Sequence, residues 1–149
     1  MSRTATYHTT VHWTGEHRGR IEMGNGPEMA FSAPPDAQGH AGVLTPEDAF
    51  VASVNTCIMM MFLWACERFK LKLVTFECRA EGTKRIELDR TETFTKVLLK
   101  PVIRIDAAGE ARVALDARVT KALAAARKYS LVANSVKSEV VIEPEVTID

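Results

Sequence analysis

The chain has no excess of either charge. Across 149 residues, 19 Lys and Arg balance 19 Asp and Glu. Nucleic acid and anionic membrane surfaces are met by a basic excess, so neither is an expected partner. Zero net charge also leaves self-association weakly opposed. Cysteine is scarce as well: Cys57, Cys66 and Cys78 are the only three. An odd number of closely spaced cysteines does not make a secreted disulfide framework. There is no CxxC pair and no Cys/His spacing suited to zinc, so no metal or other bound cofactor is expected. No apolar run follows Met1-Ser2-Arg3-Thr4, so a signal peptide is not expected and a reducing cytoplasm is the default compartment. Thiol chemistry there is redox or nucleophilic rather than structural. Internal repeats and low-complexity tracts are missing too.

What is present fits one domain, residues 1–149, with an ordinary globular balance of apolar and charged residues. Residues 6–14 alternate, with Tyr7, Thr9, Val11 and Trp13 on one face and His8, Thr10 and His12 on the other. That is strand periodicity. Gly15 to Gly19 reads as a turn, Arg20 to Met23 as the return strand, and Glu28 to Ser32 as a third strand after the Gly24-Asn25-Gly26-Pro27 turn. Residues 33–43 read as an exposed loop.

Thr45-Pro46-Glu47-Asp48 is a strong helix start: a capping hydroxyl, a proline suited to the first helical position, and carboxylates at the positive end of the dipole. The predicted helix runs to about Lys70 and has no charge from Ala49 to Cys66. Its length is near the lower limit for a membrane span. Ser53, Asn55 and Thr56 interrupt it and no aromatic belt flanks it, so a helix buried inside a soluble domain is the better reading.

From Leu71 the period is two, with Val74, Phe76, Cys78 and Ala80 on one face. A turn near 88–91 leads to a strand carrying Val97, Leu99, Ile103 and Ile105. Pro101 inside it argues for an edge or a bulge. Ala111 to Tyr129 has helical spacing, and Ser130 extends its apolar stripe. Residues 130–135 read as a tight turn or short helix. Val140, Ile142 and Val146 make a last strand, where Pro144 suggests an edge. The order β(3)-α-β(2)-α-β predicts an α+β fold. A helix apolar on every side needs more cover than these elements give it, which favours a dimer in which two such helices pack together.

A free cysteine is ordinarily a small buried hydrophobe. Cys66 lies about 13 Å from Cys57 along the helix axis, too far for a disulfide. Cys66 and Cys78 therefore read as structural. His8 and His12 share a face but lie about 13 Å apart, which suits two surface histidines better than a shared metal. Met59-Met60-Met61 with Phe62 and Trp64 reads first as core filling.

Pro46-Glu47 followed ten residues later by Cys57 on an apolar helix resembles the OsmC/Ohr family of thiol-dependent hydroperoxide reductases. The segment Ala-Arg-Lys-Tyr-Ser-Leu-Val-Ala-Asn over residues 126–134 is similar to that family's second-cysteine segment. Trp13-Thr14-Gly15-Glu16-His17-Arg18-Gly19 is similar to its arginine-bearing hairpin. The resemblance spans nearly the whole chain. It implies an intertwined homodimer with two sites at the interface and Cys57 as the peroxidatic thiolate. An arginine, Arg18 or else Arg20, stabilises that thiolate, and Glu47 pairs with the arginine. A guanidinium beside a thiolate favours the charged, nucleophilic form. Glu47 and Cys57 lie about 15 Å apart along one helix, so Glu47 is expected to reach the site from the other subunit.

The resolving position carries Ser130, which cannot form a disulfide. An external thiol is then expected to reduce the sulfenic acid, with Cys78 as an alternative resolving residue. The expected activity is reduction of organic hydroperoxides in oxidative stress defence. The alternative is a non-catalytic protein of the same fold, binding an apolar small molecule in a pocket lined by the Met/Phe/Trp cluster.

Overall fold

A computed structural model describes residues 1–149. The chain forms two compact units, Met1–Phe50 and Val51–Asp149.

In the first unit, β1 (Thr9–Gly15), β2 (Arg18–Met23) and β3 (Glu28–Ser32) make an antiparallel meander in chain order. The first turn is tighter than expected and β2 already begins at Arg18. Gly15 at φ +120° and Glu16 at φ +49° turn the chain within two residues. Gly19 sets the next constraint: a Cβ there would lie 2.7 Å from the His12 carbonyl oxygen and 2.8 Å from the Phe31 ring. Only glycine lets β1, β2 and Phe31 close at that point. The loop after β3 contains one turn of 3-10 helix at Pro35–Ala37. Ser32, fully buried, ties it down. Its amide donates to the Leu44 carbonyl at 2.9 Å and its hydroxyl accepts the His40 amide at 3.2 Å.

Helix α1 spans Pro46–Arg68. Its start is the expected cap: Thr45 Oγ1 accepts the Asp48 amide and donates to Asp48 Oδ2, both at 3.1 Å. Its end is a Schellman motif. The Leu71 amide reaches the Cys66 carbonyl at 2.8 Å and the Lys70 amide reaches Glu67 at 3.3 Å, with Lys70 left-handed at φ +56°. The helix therefore stops two residues before its predicted end.

In the second unit, β4 (Lys72–Ile86) and β5 (Glu92–Asp106) form a long antiparallel hairpin. Helix α2 (Arg112–Tyr129) and a short α3 (Leu131–Ser135) follow. The predicted last strand is two strands, β6 (Glu139–Ile142) and β7 (Glu145–Ile148), both parallel to β5. The chain breaks at Glu143-Pro144, where proline has no amide to continue the ladder. Pro101 is a related correction. It lies in the central strand, not at an edge, and it is fully buried. β6 pairs with residues 96–99 and β7 with residues 102–105, so Pro101 falls in the gap between them and leaves no ladder bond unmade. A bulge lies instead at Val74, the extra residue between Leu73 and Thr75. It puts Leu73 and Phe76 on the core and leaves Val74 exposed, contrary to simple alternation.

The core of this unit joins α1 and α2 to β5. Val97, Leu99, Ile103 and Ile105 share one face of β5, as predicted, and all are fully buried. Val54, Ile58, Phe62, Ala65 and Cys66 form the buried stripe of α1, and Leu115, Val119, Ala122 and Ala126 that of α2. Phe62 meets Phe76 with ring centroids 5.6 Å apart. Fully burying one such side chain contributes about 1.5–3 kcal/mol, so the stripe that is buried, not the helix's overall apolarity, fixes its orientation. Within a single chain the other face of α1 is uncovered: Ala52, Thr56, Met60 and Trp64 are exposed.

Candidate active site

Cys57 lies on α1, half-buried, on the side facing the α2–α3 junction. Ser130 ends α2 and caps α3. It is fully buried, and its Oγ accepts the Ala133 amide at 3.2 Å. The same oxygen donates to Cys57 Sγ at 3.2 Å. Sequence reading placed Ser130 at the second-thiol position; the hydrogen bond joining it to Cys57 was not visible there. The turn around it is braced: Asn134 Nδ2 donates to the Lys128 carbonyl at 2.9 Å and Arg127 donates to Asn134 Oδ1 at 3.3 Å.

Cys78 is on the opposite flank of α1. Asn55, about 200° around the helix from Cys57, donates its side-chain amide to the Cys78 carbonyl at 3.1 Å. Burial pushes the Cys78 thiol up, the largest effect on it. Burial raises Cys66 further, to about 11, with the Glu67 charge adding to the effect. Both are poor nucleophiles at neutral pH.

The candidate arginines differ in their commitments. Arg20 Nη1 donates to Glu22 Oε1 at 2.5 Å and lies 3.6 Å from Glu28 Oε1. The hydrogen bond to Glu22 raises the Arg20 guanidinium further and, in turn, holds the Glu22 carboxyl below its usual range. His12 also approaches Glu22, at 3.5 Å. Arg18 is two residues earlier, on the same face of β2, exposed, and in no side-chain hydrogen bond or ion pair. In the same unit, Glu47 Oε1 is buried without a hydrogen-bond partner.

The Met/Phe/Trp cluster divides. Phe62 is core, whereas Met61 and Trp64 line a cleft of about 470 Å³ between α1 and α2, with Phe69 and Tyr129 as further walls. Arg68 and Lys128 stand at its rim, and Lys128 Nζ lies 5.2 Å above the Tyr129 ring.

A meander, a long apolar helix bearing a half-buried thiol, and a hairpin sheet carrying two parallel strands together define a class of α+β thiol protein. A family model described as OsmC-like protein matches residues 39–145. The chain belongs to the OsmC-like family. Solved structures agree on the fold. An OsmC-like protein of unknown function from Vibrio cholerae is 22% identical, with a TM-score of 0.83 over 95% of this chain and 99% of its own. An organic hydroperoxide resistance protein OsmC from Legionella pneumophila is 18% identical, with a TM-score of 0.67 over 98% of this chain and 99% of its own. The organic hydroperoxide resistance protein OhrB of Bacillus subtilis is 16% identical, with a TM-score of 0.61 over 96% and 98%. No curated protein sequence matches the chain.

Proposed function

We propose that this protein is a cytoplasmic, homodimeric, one-cysteine peroxidase that reduces organic hydroperoxides at Cys57. The observation that carries the reading is the pairing of Cys57 with Ser130: the half-buried sulfur sits 3.2 Å from the side chain at the family's second-thiol position. This proximity supports a thiol that reacts beside a resolving position, with the resolving atom changed from sulfur to oxygen.

The Cys57 thiolate attacks the distal peroxide oxygen and the O–O bond breaks. With one proton taken up at the leaving alkoxide, the products are an alcohol and a Cys57 sulfenic acid. Ser130 cannot displace that hydroxyl. An external thiol condenses with the sulfenic acid, releasing water and leaving a mixed disulfide. A second thiol then frees Cys57 and carries away the oxidised pair. Arg18 serves as the thiolate's cation and Glu47 orients it. A guanidinium without an acceptor and a buried carboxylate oxygen without a donor support that pairing, while Arg20 is already held by Glu22. Glu47 and Cys57, about 15 Å apart along α1, act together when Glu47 comes from a second subunit.

The test is consumption of cumene hydroperoxide with a dithiol reductant, comparing wild type with Cys57→Ser. The substitution should abolish turnover; equal consumption by the two proteins overturns the reading. The cleft between α1 and α2 favours a second reading, a non-catalytic binder of an apolar small molecule. On that reading Cys57→Ser leaves ligand affinity intact and the wild type consumes no peroxide.

A further inference from the structure

Ser130 occupies a resolving position, yet its hydroxyl is fully engaged. It is completely buried. One lone pair takes the Ala133 amide. For its single proton, Cys57 Sγ at 3.2 Å is the acceptor within reach. If the sulfur donated instead, the Ser130 proton would be buried without a partner, which is costly. The sulfur is therefore the acceptor of this bond, and the bond is stronger when the acceptor carries the thiolate charge.

We infer that Ser130 is a catalytic residue: its hydroxyl donates a hydrogen bond to the Cys57 thiolate and holds the sulfur ready for attack, so the serine has a role of its own. The inference deepens the proposed Cys57 chemistry and rests on that residue being the nucleophile. The short α3 makes the donation directional, because the cap fixes where the oxygen sits. Within the Val51–Asp149 unit no formal charge takes the role, and the hydroxyl acts alongside the cation proposed at Arg18. α1 has no charged side chain from Ala49 to Cys66. At the junction, Arg127 is turned to Asn134 and Lys128 lies over Tyr129.

Alkylation of Cys57 by iodoacetamide, followed by peptide mass spectrometry across pH, tests this without any peroxide. Failure of the peroxidase assay is thereby kept distinct from failure here. Ser130→Gly removes the donor while glycine remains an acceptable helix cap. It should alkylate about tenfold more slowly at pH 7, the factor expected for one charge-assisted hydrogen bond. The difference should vanish at a pH where the thiol is fully ionised in both proteins. Ser130→Thr, which keeps the hydroxyl, should recover the wild-type profile. Equal rates at pH 7, or a slowing by the same factor at every pH, overturns the inference. If Ser130→Gly does not fold, Ser130→Ala reads the same loss.

Discussion

The 3.2 Å separation between Ser130 Oγ and Cys57 Sγ makes Ser130→Cys an informative perturbation. A sulfur on the same rotamer, with its longer bond to Cβ, needs to move about 1 Å to reach the disulfide length of about 2.0 Å. Positions 57 and 130 enclose about 74 residues. Closing a loop of that length stabilises the folded state by roughly 4.5 kcal/mol in the chain-entropy account, less whatever strain the bond introduces. For a chain of this size each kcal/mol shifts Tm by about 2–4 °C, so a rise of about 10 °C is expected. The assay is stoichiometric peroxide treatment, then non-reducing thermal unfolding and peptide mass mapping of the bond. Wild type, treated in the same way, should show no intramolecular bond to Cys57 and no such rise. The variant should also resist over-oxidation of Cys57, because an internal thiol captures the sulfenic acid first. Two free thiols after peroxide treatment, or a bond with no thermal gain, would refute the geometry on which the site rests.

Arg18→Ala should lower the rate of Cys57 with cumene hydroperoxide by about 10–100-fold, the effect expected for the charge-assisted contact proposed with the reacting sulfur. Arg20→Ala should change it less than threefold, since that guanidinium is held by Glu22; stopped-flow kinetics under single-turnover conditions separate the two. Cys66 predicts a pH effect on stability. Its folded thiol is raised to about 11 by burial, so the unfolded chain loses that proton first. The contribution is complete below the ordinary thiol range and is lost as pH rises through about 11. Denaturant midpoints should therefore fall more steeply between pH 8 and 11 for wild type than for Cys66→Ala, and parallel curves would count against it.

Local chemistry was readable in the sequence at the start of α1 and along β5. Thr45, Pro46 and Asp48 announce the start of α1 because a cap involves neighbours only. Val97, Leu99, Ile103 and Ile105 reveal the buried face of β5 because period two survives in an unbulged stretch. Non-local pairing was not readable. Pro101 looks like an edge residue until β6 and β7 are seen to leave a gap opposite it. Val74 looks like core until the bulge turns it outward. At the site, Cys57 and Ser130 stood out by spacing and resemblance, 73 residues apart in sequence. The direction of the Ser130 proton needed the Ala133 amide, which only a folded α3 supplies. The competition between Arg18 and Arg20 needed the register that sets Arg20 beside Glu22 and Glu28.

The parallel seating of β6 and β7 on β5 sets a timetable for synthesis. β4 and β5 can zip as a hairpin as soon as both have left the ribosome. The other edge of β5 stays open until residues 139–148 emerge, some 33 residues or more after Asp106. During that interval a 15-residue strand presents unpaired amides and carbonyls next to its most apolar face. The nascent chain is therefore most prone to wrong partners in a window defined by the length of α2 and α3, and slowing translation within that stretch should lengthen the window in proportion.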